Sequence, residues 1–210
     1  MKTLDFYFDI ISPFAYFAFK KLGELPDTVE VQLKPVLFAG LLNHWESKGP
    51  AEIAPKRIFT YQYSHWYALH NGIGFKCPPA HPFNPLPGLR LIIAAGCTQN
   101  AADQVFSFVW EHGNSFDDHA AWQALTTRLG IHDAESALKS PRVKEILRDN
   151  TSAATTRGVF GVPSYVIDER VFWGVDSLPM VIDYLNDPSI MTSGEMQRIA
   201  DLPVAASRKM

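Results

Sequence analysis

The sequence predicts an α/β fold in which a four-stranded sheet is interrupted by an inserted all-helical block. Three observations carry that expectation. The first thirty-six residues read strand, helix, strand. Between about Leu41 and Asn150 apolar residues recur at helical rather than alternating spacing. After Gly158 the chain returns to strand, tight turn, strand, helix.

Leu4 to Phe8 alternates with aromatic residues that suit a pleated, half-buried surface. Ser12-Pro13 then opens a helix carrying Phe14, Phe17, Ala18 and Leu22, with Gly23 as its stop. "VEVQLKPV", residues 29–36, alternates again and reads as the parallel partner of the first strand. Inside the block, "PKRIFTYQYSHWYALHNG" ends at Gly72, and "CPPAHPFNPLPG" holds too many prolines for anything but a loop. "LRLIIAAGCTQ" and "ADQVFSFVWEH" have helical periodicity, which places Cys97 in a helix core. "DDHAAWQALTTRLG" stops at Gly130, and Ser140-Pro141 starts a further helix. "PSYVID" and "VFWG" form a hairpin, and "DSLPMVIDYLN" closes the fold. Removing the block leaves a thioredoxin-like plan made of residues 1–40 and 151–187, with 41–150 as a helical subdomain. Residues 188–210 lack an apolar face and are expected to be loosely held.

Composition narrows the function classes. The 210 residues carry a formal charge of -3, with 47% hydrophobic and 20% charged residues. The basic side chains are dispersed, which argues against a nucleic-acid surface. No apolar run reaches membrane-spanning length, and the N-terminus enters a strand pattern without the basic region and apolar core of a secretory signal. A cytoplasmic protein is the expectation. The two cysteines, Cys77 and Cys97, have neither CxxC nor zinc-ligand spacing and read as free thiols. No histidine–carboxylate pattern suggests a metal.

"FYFDIISPFAYFAF", "GVFGVPSYVID" and "FWGVDSLP", in that order, resemble the 2-hydroxychromene-2-carboxylate isomerases and the kappa-class glutathione transferases. Those families share the thioredoxin-like fold with a helical insertion, as do the periplasmic disulfide oxidoreductases. Ser12 by itself is a helix cap, and the same N-terminus favours an anion. "Ser-Pro-Phe-Ala" stands where redox relatives carry CxxC, so the chain has no sulfur of its own there. The resemblance implies that sulfur comes from glutathione, with Ser12 hydrogen-bonding its thiolate. It also implies that Pro163 is cis and that the backbone of Val162 pairs with the cysteinyl part of glutathione. Asp176, otherwise a cap, matches the residue that engages the γ-glutamyl amine. The neighbouring pattern departs: Val175 replaces Ser/Asn, and Ser177 replaces Arg, leaving the Ser177 N–H as a carboxylate donor. Arg57, beside Lys56, stands near the position of a glutathione-directed lysine.

The activity implied is cis–trans isomerisation of an unsaturated aromatic carboxylate by reversible thiolate addition, with Arg57 or Arg90 as the carboxylate's cation. His44, Trp45, His65, Trp66, His81 and Asn84 could line the second pocket, though each taken singly reads first as packing or surface. A kappa-like transferase or peroxidase, and a non-catalytic glutathione-binding scaffold, are the alternatives. A homodimer is expected on the resemblance alone.

Overall fold

The computed structural model describes residues 2–206. Strands β1 (Lys2–Phe8), β2 (Val29–Pro35), β3 (Ser164–Ile167) and β4 (Arg170–Trp173) form one mixed sheet in the order β2-β1-β3-β4. β1 runs parallel to β2 and antiparallel to β3, and β4 closes a hairpin with β3. The period-2 pattern of β1 divides its side chains between two cores. Leu4, Phe6 and Phe8 join the larger cluster, whereas Tyr7 joins Val36, Val162 and Val166 on the other side.

Helix α1 (Pro13–Lys20) follows β1, and α2 (Phe38–His44) follows β2. The insertion continues through α3 (Ala54–His70), α4 (Leu86–Ala94), α5 (Gln99–Phe106), α6 (His119–Arg128), α7 (Ala134–Lys139) and α8 (Pro141–Thr156). α9 (Leu178–Asn186) packs after β4, and α10 (Gly194–Ala200) ends the described chain. The insertion shares the sheet's core: Leu89, Ile92, Phe106 and Trp110 lie in one cluster with Phe6 and Phe8. Arg157, just past α8, pairs with Asp5 on β1 and thereby ties the insertion's exit to the first strand. Among the described residues no helix is long and apolar enough to cross a membrane.

Several local expectations change. Gly23 does not end α1, which stops at Lys20; Leu22–Glu24 then forms a 3-10 turn. Cys97 is not in a helix core: it takes φ +53 in the turn between α4 and α5, just after Gly96 at φ +82. Both cysteines are free. The second amphipathic stretch loosens from α-helix into a π-helical turn at Ser107–Glu111, which brings Phe108, Val109 and Trp110 inward. The C-terminal stretch carries two short elements. Pro188–Thr192 makes a 3-10 turn whose Ile190 and Met191 lie against the core, although α10 itself buries nothing. Residues 207–210 lie outside the described chain.

Gly88 is where the insertion meets the site. A β-carbon there would lie 2.3 Å from Ile10 Cδ1, 2.7 Å from Phe116 Cζ and 3.0 Å from Val105 Cγ1. Ile10 and Val105 are fully buried and cannot give way cheaply. The gain in helix propensity from Gly to Ala is at most about 1 kcal/mol, against about 1–3 kcal/mol for overpacking a core. Gly88→Ala is therefore expected to lower unfolding free energy by about 1–2 kcal/mol, read from urea denaturation.

Candidate functional site

The C-terminal end of β1 runs into a four-residue loop, Asp9 to Ser12, before α1 begins. Nearly every polar group of this loop is fixed. The Asp9 carboxylate, buried, accepts from Ile11 N–H at 3.0 Å and from Phe38 N–H at 2.8 Å. The Asp9 carbonyl accepts from Ser12 N–H at 3.1 Å. The Ile10 carbonyl accepts from the Trp110 indole at 2.7 Å. The Ile11 carbonyl lies 2.8 Å from His81 Nε2. A carbonyl only accepts, so Nε2 carries the hydrogen and Nδ1 of the neutral ring faces the Tyr61 hydroxyl at 2.8 Å. Burial lowers the His81 pKa, against the raising effect of its bond to Ile11. The helical insertion thus supplies two of the side chains that hold the loop.

Ser12 caps α1: its Oγ accepts from Ala15 N–H at 3.2 Å, with Pro13 in the first turn. The Ser12 hydroxyl hydrogen is donated to no described residue. No cysteine occupies Ser12 or Ala15, and α1 points its N-terminus outward from the end of β1.

Opposite lies the segment 160–163. The Val162–Pro163 bond is cis. The register of β1 and β3 pairs Tyr7 with Ser164, so its continuation sets Val162 across from Asp9. The Pro163 carbonyl accepts from Gly174 N–H at 3.0 Å, and Ser164 Oγ donates to the Gly161 carbonyl at 2.8 Å. No hydrogen bond among the described residues uses the N–H or carbonyl of Val162. The N–H and carbonyl of Val162 are therefore left unpaired where the register sets them across from the Asp9 loop.

Asp176 follows Gly174, whose φ of +98 and ψ of 155 turn the chain out of β4. The Asp176 carboxylate is exposed, caps nothing and pairs with no described cation. At the φ of Gly174 an L side chain is strained, so the turn that presents Asp176 requires glycine. Val175 is buried, which explains an apolar residue where the resembling families have a polar one. Ser177 does not meet its expectation as a free donor. Its N–H and its hydroxyl both donate to the Gly174 carbonyl, at 3.2 and 2.8 Å.

Arg57 sits exposed on α3, one turn before Tyr61. His81 is a pin of the loop, and Trp45 anchors the 160 segment by donating to the Val159 carbonyl at 3.0 Å. Trp66 and His65 lie on the outer side of α3, exposed. Sequence reading gave no role to Asp9, Trp110, Phe160 or Trp173. Phe160 and Trp173 meet at a tilt, ring centroids 5.3 Å apart, and stay about half exposed, at 47% and 54%. The Trp173 indole covers Gly161, whose missing side chain makes the space. Two bulky aromatics left this exposed beside an unpaired backbone edge were a signal available from "VFG" and "VFWG". Among the described residues no group of three or more His, Cys, Asp or Glu is placed to hold a metal ion.

Residues 3–186 match the family model of the DSBA-like thioredoxin domain. The chain belongs to that family. Within it, the chain is 28% identical to a 2-hydroxychromene-2-carboxylate isomerase of Sphingobium xenophagum, over 89% of this chain and 99% of the relative. It is 27% identical to glutathione S-transferase kappa 2 of Caenorhabditis elegans, over 89% and 93%. A solved 2-hydroxychromene-2-carboxylate isomerase superimposes with a TM-score of 0.79 at 23% identity, covering 96% of this chain and all of that one. The thioredoxin-like fold with its helical insertion is thereby shown for this DSBA-like chain.

Asp9 makes the site sensitive to pH. Burial raises its pKa from 3.8 to about 7, although the N–H groups of Ile11 and Phe38 pull the other way. A raised carboxylate pKa means that the folded state binds the proton that the unfolded state has released. Stability from this group is therefore full below about pH 4 and falls as pH rises through the folded pKa near 7, by on the order of 4 kcal/mol in all. Urea denaturation from pH 5 to 8 is expected to show that decline. Asp9→Asn is expected to flatten it, whatever its own absolute stability.

Proposed function

We propose that this protein is a glutathione-dependent isomerase of unsaturated aromatic carboxylates, similar to 2-hydroxychromene-2-carboxylate isomerase. The observation that carries the reading is the Ser12 hydroxyl, which accepts from Ala15 N–H and keeps its hydrogen undonated at the N-terminus of α1. A helix N-terminus with a spare hydroxyl donor favours a thiolate, and no side chain of the chain provides one there.

The residues fit glutathione at three points and miss at one. Val162 offers its unpaired backbone edge next to cis Pro163, and Asp176 offers an unpaired carboxylate for an ammonium group. Ser12 offers its hydrogen to a sulfur. The Ser177 N–H is already spent on Gly174, so a γ-glutamyl carboxylate needs another donor. Bound glutathione would supply a thiolate for reversible addition to a conjugated carbon, which turns the double bond into a rotatable single bond until elimination restores it and releases the thiolate. Ser12 would hold the negative form, the tilted aromatic pair Phe160 and Trp173 gives an apolar wall, and Arg57, one turn before Tyr61 on α3, is the cation for the carboxylate. Arg90 lines a different cleft and is not assigned to this substrate.

The test is turnover of a 2-hydroxybenzylidenepyruvate with and without glutathione, beside conjugation of a chloronitroaromatic. Glutathione-dependent cis–trans turnover is the expected result. Conjugation without isomerisation assigns a kappa-like transferase instead, and neither reaction leaves a binding scaffold. We place the protein in the cytoplasm, as a homodimer. The outer side of α3 leaves Ile58, Phe59, Trp66 and Leu69 exposed, an apolar stripe suited to a second copy. Sedimentation equilibrium is expected to give twice the chain mass, and Leu69→Glu to shift it toward monomer.

A further inference from the structure

The structure assigns a second binding site, for a small organic anion with an apolar body, to the cleft between α2, α4 and α8. The cleft has a volume of about 430 Å³, which suits a small ligand. It shares no lining residue with Ser12, Val162, Pro163 or Asp176. Its apolar surface comes from Leu37, Leu86 and Leu147, and Gly40 lets α2 approach α8 closely: a β-carbon there would meet Thr151 Cγ2 at 2.9 Å.

Charge gives the ligand its sign. Arg90, Lys144, Arg148 and His44 line the cleft, and no aspartate or glutamate does. Arg148 is balanced by Glu145 and Asp149, at 3.3 and 3.1 Å. Arg90 and Lys144 form no ion pair among the described residues. Arg90 is the telling member. Its Nε is buried and has no hydrogen-bond partner, on a helix whose Leu89, Leu91 and Ile92 are fully buried. A guanidinium nitrogen without a protein acceptor is rare in folded proteins, and an anion in the cleft that Arg90 lines would supply the missing counter-charge.

The hydroxyl groups of the α8 face sort the donors further. Thr151 is spent: it donates to the Leu147 carbonyl at 2.8 Å and accepts from Leu37 N–H at 3.0 Å. Thr155 donates to the Ser152 carbonyl, which leaves the Ser152 hydroxyl engaged by no described residue. The donors engaged by no described residue thus include Arg90 on α4 and Lys144 and Ser152 on α8, around a leucine floor. That arrangement matches a carboxylate on an aromatic or short aliphatic body better than a compact inorganic anion.

The probe is 2-naphthoate, titrated calorimetrically in the absence of glutathione and mapped by amide chemical shifts. Saturable binding is expected, with shifts centred on Leu37, Gly40 and Thr151. Arg90→Met and Lys144→Met are each expected to weaken it at least fivefold, and neutral 2-naphthamide to bind at least tenfold more weakly. Should Arg90→Met fail to fold by circular dichroism, Lys144→Met at the exposed rim decides alone. Shifts confined to Phe160 and Trp173, equal binding of the amide, or unchanged affinity in the folded variants overturns the assignment. Inorganic phosphate binding as tightly as 2-naphthoate overturns the apolar part of it. The readout involves no turnover, so its failure is separate from failure of the isomerase reading.

Discussion

Ser12→Asp is expected to abolish glutathione-dependent turnover while leaving thermal stability near that of the wild type. Aspartate caps a helix as well as serine does, and a negative charge suits the N-terminus of α1. Its oxygen can replace the Ser12 Oγ that now accepts from Ala15 N–H. The same carboxylate stands where a thiolate is proposed to sit. Two like charges about 4 Å apart repel by about 4 kcal/mol at an effective dielectric of about 20, which is about three orders of magnitude in occupancy. Cap and catalyst are therefore separated by one substitution.

Ser12→Ala supplies the converse. Loss of the cap costs about 0.5–2 kcal/mol of stability. The thiolate loses its hydroxyl donor as well, so the pKa of bound glutathione rises and its ultraviolet thiolate absorbance at neutral pH falls. If Ser12 were a cap alone, aspartate would turn over substrate normally and alanine would leave the thiol unchanged. Normal turnover by Ser12→Asp would sink the reading.

The sheet and the ends of the site were legible because short-range signals dictate them. Alternation marks β1 and β2, the Ser12-Pro13 step marks the start of α1, and "DER" between two apolar runs marks the hairpin, where Asp168 and Glu169 both take positive φ. What was not legible depends on contacts across the chain. Trp110 reaches Ile10 over 100 positions and His81 reaches Ile11 over 70, and no local pattern announces either. His81 could be read as packing, surface or pocket, because a lone histidine in a proline-rich loop carries no sign of its partner. The role of Asp9 was hidden for the same reason: its acidity depends on burial under α2, through Phe38, which follows a strand that ends far along the chain. Asp176 shows the opposite limit. Its sequence context fits a cap, and only the turn at Gly174 shows that its carboxylate caps nothing.

That carboxylate yields the other large effect. Asp176→Asn is expected to weaken glutathione binding by about 1.5–3 kcal/mol, roughly ten- to 150-fold, in calorimetric titration. The substitution keeps size, shape and hydrogen-bonding capacity, and removes only the charge. Asparagine caps helices as well as aspartate, so a capping role predicts no change. The structure has already withdrawn the cap: neither the turn Val175–Ser177 nor α9 takes a side-chain bond at its start. What remains is an exposed carboxylate with no described cation of its own, presented by a turn whose Gly174 at φ +98 tolerates no side chain without strain. A pairing with an ammonium there would be partly exposed to solvent, which favours the lower end of the range. Raising salt from 0.05 to 0.5 M should therefore weaken binding to the wild type more than to Asp176→Asn, since only the wild type loses a screened charge pair. Equal affinities for the two proteins, at either salt concentration, would remove Asp176 from the glutathione site.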